Sequence, residues 1–159
     1  MKKILAAVTL TLALAGCQSL FAPPLEDQAW LEACNLTAAC AQLEAPQVVQ
    51  SDTIFRLDIG LRWARGVFFP LDDERIVFIN KTFEDDDQRY LTLVHEMVHY
   101  IDTYTGFIDL EGDFKTEGCV AETHAFDVMN IAAARIGRED LIRIDWYKSY
   151  PNCDGPVRR

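Results

Sequence analysis

The chain of 159 residues carries 15 Lys and Arg against 25 Asp and Glu, a formal charge of −10, and half of its residues are apolar. So acidic a balance argues against a nucleic-acid partner and against electrostatic adsorption to anionic lipid. The length and apolar content suit one domain with one core, and neither an internal repeat nor a low-complexity segment is visible.

In chain order, "MKKILAAVTLTLALAGC" comes first: two lysines, an apolar run short for a bilayer span, then small residues before Cys17. Leu14-Ala15-Gly16-Cys17 resembles the processing site of bacterial lipoprotein signals. The resemblance implies that residues 1–16 are removed, that Cys17 is diacylated, and that attachment to the membrane rests on this lipid. Gln18, standing where Asp would retain such a protein in the inner membrane, implies sorting to the outer membrane. Loss of residues 1–16 takes away Lys2 and Lys3 and no acid, so the charge becomes −12. Residues 17–25, with two prolines, read as a short tether, and residues 26–159 as a single domain.

Setting aside Cys17, four cysteines remain: Cys34, Cys40, Cys119 and Cys153. An even number in an oxidising envelope compartment predicts two disulfides. Four cysteines allow three pairings, and proximity along the chain favours Cys34 with Cys40 and Cys119 with Cys153. No spacing is the C-x-x-C of a zinc ribbon, which argues against a thiolate metal site.

From Glu26 to about Glu44, helix formers with Trp30, Leu31 and Cys34 at helical spacing predict two short helices broken near Asn35. The next stretch is rich in β-branched and aromatic residues, interrupted by Gly60, Gly66 and Pro70-Leu71-Asp72-Asp73. It predicts three strands at about 53–59, 64–69 and 75–80. Asp85 to Asp87 can then cap a helix over Asp86–Tyr104, in which Tyr90, Val94, Met97, Ile101 and Tyr104 form a core stripe and Gly106 supplies the stop. A second helix is predicted from about Thr116 to Ile136, ended by Gly137, with a last short helix from near Arg138. Small strands followed by helices imply an α+β domain, with a roughly three-stranded sheet packed on the two helices.

The first long helix contains "HEMVH". His95 and His99 are four apart, so their imidazoles stand one turn above each other and can reach a single ion. Glu96 is rotated by about 100° from His95 and is suited to lean over a water rather than to ligate. That combination fits zinc-assisted hydrolysis, in which Zn2+ acidifies water and a carboxylate carries the proton to the leaving group. A catalytic zinc needs a third protein ligand, for which Glu111, Glu117, Cys119, Glu122, His124 and Asp127 are candidates.

HExxH on one helix, followed on the next by a glutamate in the context "AETHAF", resembles the gluzincin metallopeptidases, particularly small single-domain members. There is further likeness to the small peptidases of the mitochondrial intermembrane space that process an ATP synthase subunit. The likeness covers about Leu91 to Met129, and implies a zincin-like fold with Glu122, on the second helix, as third ligand. It also matches Asp102, three residues after His99, and a cysteine just ahead of the ligand glutamate, here Cys119. Larger gluzincins place an Asp four residues after the ligand Glu, but Phe126 holds that position here; Asp102 then becomes the candidate to orient a ligating histidine. His124, about 200° around the helix from Glu122, is poorly placed to ligate with it. It reads first as a surface histidine and, as the alternative, as a transition-state hydrogen-bond donor, a role for which Tyr100, Tyr104 and Tyr147 compete. The segment "RIVFIN" is expected to border the cleft and to pair with an extended peptide.

Two functions follow as expectations: a zinc peptidase acting on proteins or peptides of the cell envelope, or an envelope lipoprotein that uses a metallopeptidase-like fold for binding or assembly. Oligomeric state is left open by the sequence.

Overall fold

The structure is a computed structural model. It describes residues 22–57, 64–69, 75–150 and 153–158, so the leader, Cys17, most of the tether, Gly60 and Pro70-Leu71-Asp72-Asp73 lie outside the described residues. The elements, in order, are α1 (Leu25–Thr37), β1 (Gln47–Gln50), α2 (Asp52–Leu57), β2 (Gly66–Phe68), β3 (Ile76–Ile79), α3 (Asp86–Thr105) and α4 (Phe114–Arg135). Two 3-10 turns, Glu139–Leu141 and Trp146–Ser149, follow. The domain is α+β, as the succession of strands and helices predicts.

Only one of the two predicted early helices forms. After Thr37 the chain turns through Ala38 in the left-handed region (φ 55°), whose N–H donates to the Cys34 carbonyl. The Cys34–Cys40 disulfide closes this turn with its Cα atoms 5.2 Å apart. Six residues of continuous helix would separate those atoms by about 9 Å, beyond disulfide reach, so helix and cross-link cannot coexist there.

The sheet has three strands in the order β1-β3-β2, with β1 parallel and β2 antiparallel to β3. Its first strand differs from the prediction. The described part of 53–59 is the helix α2, with Phe55 as its buried side chain, and the strand is instead Gln47–Gln50, upstream. Two valines between glutamines are too brief a pattern to announce a strand, whereas Ile54 and Phe55 imitate one.

Helix α3 is the centre of the molecule. Asp85 caps it, accepting the Gln88 N–H at 2.8 Å, and Gly106 (φ 72°) ends it. It packs against α1, α4, β2 and β3. Enclosure from several sides buries far more than the predicted stripe: beside Val94, Met97 and Ile101, the side chains of Leu93, Val98 and Tyr100 are buried, and so are His95, Glu96 and Asp102. Tyr90 and Tyr104 at the ends of that stripe are only half-buried. Helix α4 starts two residues before the predicted Thr116 because Asp113 caps it, accepting from the Thr116 N–H at 2.8 Å. Arg138, just past α4, reaches Asp85 and Asp87 at the start of α3, fastening the two long helices together.

Candidate metal centre

Side by side in the core, α3 and α4 bring His95, His99 and Glu122 together. His95 Nε2 and His99 Nε2 are 3.0 Å apart, His95 Nε2 lies 3.3 Å from Glu122 Oε2, and His99 Nε2 lies 3.4 Å from Glu122 Oε1. Donors bonded to one zinc at 2.0–2.1 Å in a tetrahedron lie about 3.3–3.4 Å from one another. The two imidazole nitrogens stand a little inside that spacing and each faces its own oxygen of Glu122 at that spacing, and two imidazoles with one carboxylate are a donor set suited to that ion. Among the described residues this is the one group of three or more His, Cys, Asp and Glu so arranged. His95 Nδ1 is buried without a hydrogen-bond partner, where a ligating histidine ordinarily donates to an oxygen.

The electrostatics couple the three groups in the metal-free protein. Burial disfavours charge on Glu122, yet His99 and His95 outweigh it and hold the carboxylate well below its ordinary value. Burial likewise opposes charge on His99, but Glu122, aided by Glu96 and Asp102, prevails and lifts it to about 9. A proton thus occupies this cluster near neutral pH when no metal does.

Glu96 is buried beside the cluster, and burial is the main cause of its raised pKa, against the opposing pull of His95 and His99. The Phe68 backbone N–H donates to its carboxylate. A Cβ at Gly66 would come within 2.6 Å of Glu96 Cγ and 2.7 Å of its Oε1, so the strand can lie this close only where it has no side chain. Gly66 and Phe68 belong to β2, one of the two edge strands of the sheet among the described residues. This corrects the expectation for "RIVFIN": β3 is the middle strand, paired on both sides, and β2 is the strand that meets Glu96.

The other candidates have different partners. Glu117 accepts from the Asp109 N–H at 3.0 Å, Cys119 is joined to Cys153, and Asp127 pairs with Arg158. Both disulfides are the pairs favoured by proximity along the chain. Asp102, expected to back a ligating histidine, instead accepts from His124 Nδ1, which lies 2.9 Å from each of its oxygens. Among the tyrosines weighed in the sequence, Tyr100 donates to the Glu44 carbonyl, Tyr104 lies under the Arg75 guanidinium, and Tyr147 packs edge-on to Trp146. The tyrosine at the centre is Tyr150, whose hydroxyl donates to Glu122 Oε1. Burial and the adjacent carboxylate push its pKa upward, so it stays a donor. Its signal was faint: Tyr150 stands three residues before Cys153, and Glu122 three after Cys119, so a 119–153 cross-link between antiparallel segments brings them opposite each other. A cavity of about 300 Å³ opens beside His99 and Glu122, lined by Phe68, Ile108, Phe114, Lys115, Tyr150 and the Cys119–Cys153 bridge.

Comparison with known proteins bears on the N-terminus. Residues 1–18 match the model for the prokaryotic membrane lipoprotein lipid attachment site, and Cys17 is the cysteine within that span. The chain is a membrane-anchored lipoprotein, attached through its N-terminal lipid. No helix among the described residues is long and apolar enough to cross a membrane. No curated protein and no solved structure gave a significant match.

Proposed function

We propose that the protein is a zinc-dependent peptidase of the bacterial cell envelope, held by its lipid to the outer membrane. The observation that carries this reading is the convergence of His95, His99 and Glu122, with the two Nε2 atoms 3.0 Å apart and each 3.3–3.4 Å from a Glu122 oxygen, and with Glu96 buried alongside. The resemblance of HEMVH and "AETHAF" to gluzincins supports it, and Gln18 after Cys17 supports the outer-membrane destination.

His95, His99 and Glu122 are the residues that would hold the ion. A zinc ion there would acidify an attacking water and polarise the substrate carbonyl. Glu96 acts as general base, taking a proton from the attacking water and returning it to the leaving amine. Its burial and the Phe68 N–H keep the carboxylate in one place and away from bulk solvent. The substrate is a protein or peptide, whose extended backbone lies along the β2 edge. The largely apolar cavity beside Glu122 receives one of its side chains.

Glu96→Gln tests the reading, because it removes the base without touching a ligand. Zinc content should stay at one per chain by metal analysis, while peptide hydrolysis falls by at least the 10²–10⁴-fold that a general base contributes. Unchanged activity in this variant would rule out the peptidase and favour the reading as a binding or assembly lipoprotein.

A further inference from the structure

The segment after α4 folds back along the helix face that carries Glu122, making about one contact per helical turn. The Asn130 side chain exchanges hydrogen bonds with the Arg143 backbone, Trp146 stacks on Phe126 at 5.0 Å, Tyr150 donates to Glu122, and Cys153 is bonded to Cys119. The end of the chain then turns back: the Val157 N–H donates to Thr123 Oγ1 at 2.9 Å and Arg158 pairs with Asp127. Phe126, under Trp146, itself packs edge-on to His95 at 4.5 Å. Among its described residues the strap forms only 3-10 turns and isolated turn hydrogen bonds such as Cys153 N–H to the Tyr150 carbonyl, so what fastens it to α4 is this set of contacts and the disulfide.

Glutamate has three rotatable side-chain bonds, and a ligand that must be held in one rotamer loses that freedom. Ligating carboxylates are accordingly hydrogen-bonded in turn by groups behind them. Tyr150 supplies such a bond to Oε1, the same oxygen that faces His99, while Oε2 faces His95. We propose that Tyr150 is a positioning residue for Glu122, and that the Cys119–Cys153 disulfide acts on the metal centre by holding Tyr150 in register. The inference rests on the zinc reading above and adds that the centre's affinity depends on a cross-link outside the ligand set.

The test is zinc affinity of the full mature chain, measured by competition with a chelator, with helix content of the metal-free protein followed by circular dichroism. Tyr150→Phe keeps the ring that packs on Trp146 and removes only the hydroxyl; zinc affinity should fall about 10–100-fold with helix content unchanged. Cys119→Ser with Cys153→Ser should weaken zinc in the same direction. Adding Tyr150→Phe to that pair should cost nothing more, because both act through one contact. Affinity of Tyr150→Phe within about twofold of wild type, or losses that multiply in the triple variant, would overturn the inference. Where the serine pair does not fold, Tyr150→Phe against Tyr150→Leu decides: equal losses support the hydroxyl, while a loss in Leu alone reduces Tyr150 to packing and overturns the inference. A wild type that holds no zinc overturns the zinc reading and this inference together; a wild type that holds zinc unaffected by Tyr150→Phe overturns this inference alone.

Discussion

Helices α3 and α4 are joined by two clusters of histidine and carboxylate that differ in kind. Asp102 and His124 form a closed pair: one ring N–H, one carboxylate, both oxygens at 2.9 Å, with Asp102 buried and the His124 ring against Phe107. His95, His99 and Glu122 do not close on one another in that way: the two Nε2 atoms are 3.0 Å apart, and each faces its own oxygen of Glu122, at 3.3 Å for His95 and 3.4 Å for His99. Glu122 and His124 are two positions apart, and His99 and Asp102 three, so the clusters share helices and nearly share a level. What separates them is stoichiometry. One donor facing one acceptor is satisfied by a hydrogen bond, whereas three lone-pair donors aimed at a common point are satisfied by a cation or by a shared proton.

The comparison is broken most directly by removing one member of each cluster. Glu122→Ala should reduce zinc affinity by more than the roughly 100-fold that loss of an outer partner costs, measured by chelator competition. His124→Ala should do the reverse. It leaves the Asp102 carboxylate buried without its partner, so stability measured by urea unfolding should drop by about 3–5 kcal/mol, while zinc affinity of the folded fraction stays within about threefold. If His124→Ala removed zinc as effectively as Glu122→Ala, the division into a ligand cluster and a structural pair would be wrong.

A gentler test uses pH. In the metal-free protein His99 is raised from 6.5 to about 9, so the attraction between His99 and Glu122 contributes fully to stability below pH 6.5 and is lost as pH rises through about 9. Zinc must displace the same proton, so its apparent affinity should climb by up to about tenfold per unit as pH rises toward 9, then level off. Unfolding curves of the metal-free protein from pH 6 to 10, beside zinc titrations over the same range, should show stability falling while affinity rises. A flat affinity profile would mean that no proton competes for the donors.

Much of this was legible in the sequence, and what was not had a consistent cause. The four-residue spacing of His95 and His99, the aspartate and glycine that bracket α3, and the Cys34–Cys40 turn are matters of local geometry. Strand β1 was missed because Val48 and Val49 alone carry no period, and α2 was misread because Ile54 and Phe55 favour strands while the chain around them turns helical. The burial of His95, Glu96 and Asp102 was not anticipated either: a polar stripe on an amphipathic helix ordinarily faces water, but here α4 and the sheet edge cover it.

The sequence by itself determined the lipid attachment and the histidine pair on one helical face, and it favoured the two disulfide pairs, because each depends on a short segment or on nearest neighbours along the chain. Only the tertiary structure decided that Glu122 meets that pair at 3.3 and 3.4 Å, that Asp102 turns to His124, that Gly66 makes room for Glu96, and that Tyr150 reaches back to Glu122. Each of those contacts joins segments on different elements, far apart along the chain. Helical and strand periods assign a residue to a face of its own element; the packing of α3 on α4, the lie of β2 against α3 and the strap clamped at Cys119 decide which faces meet.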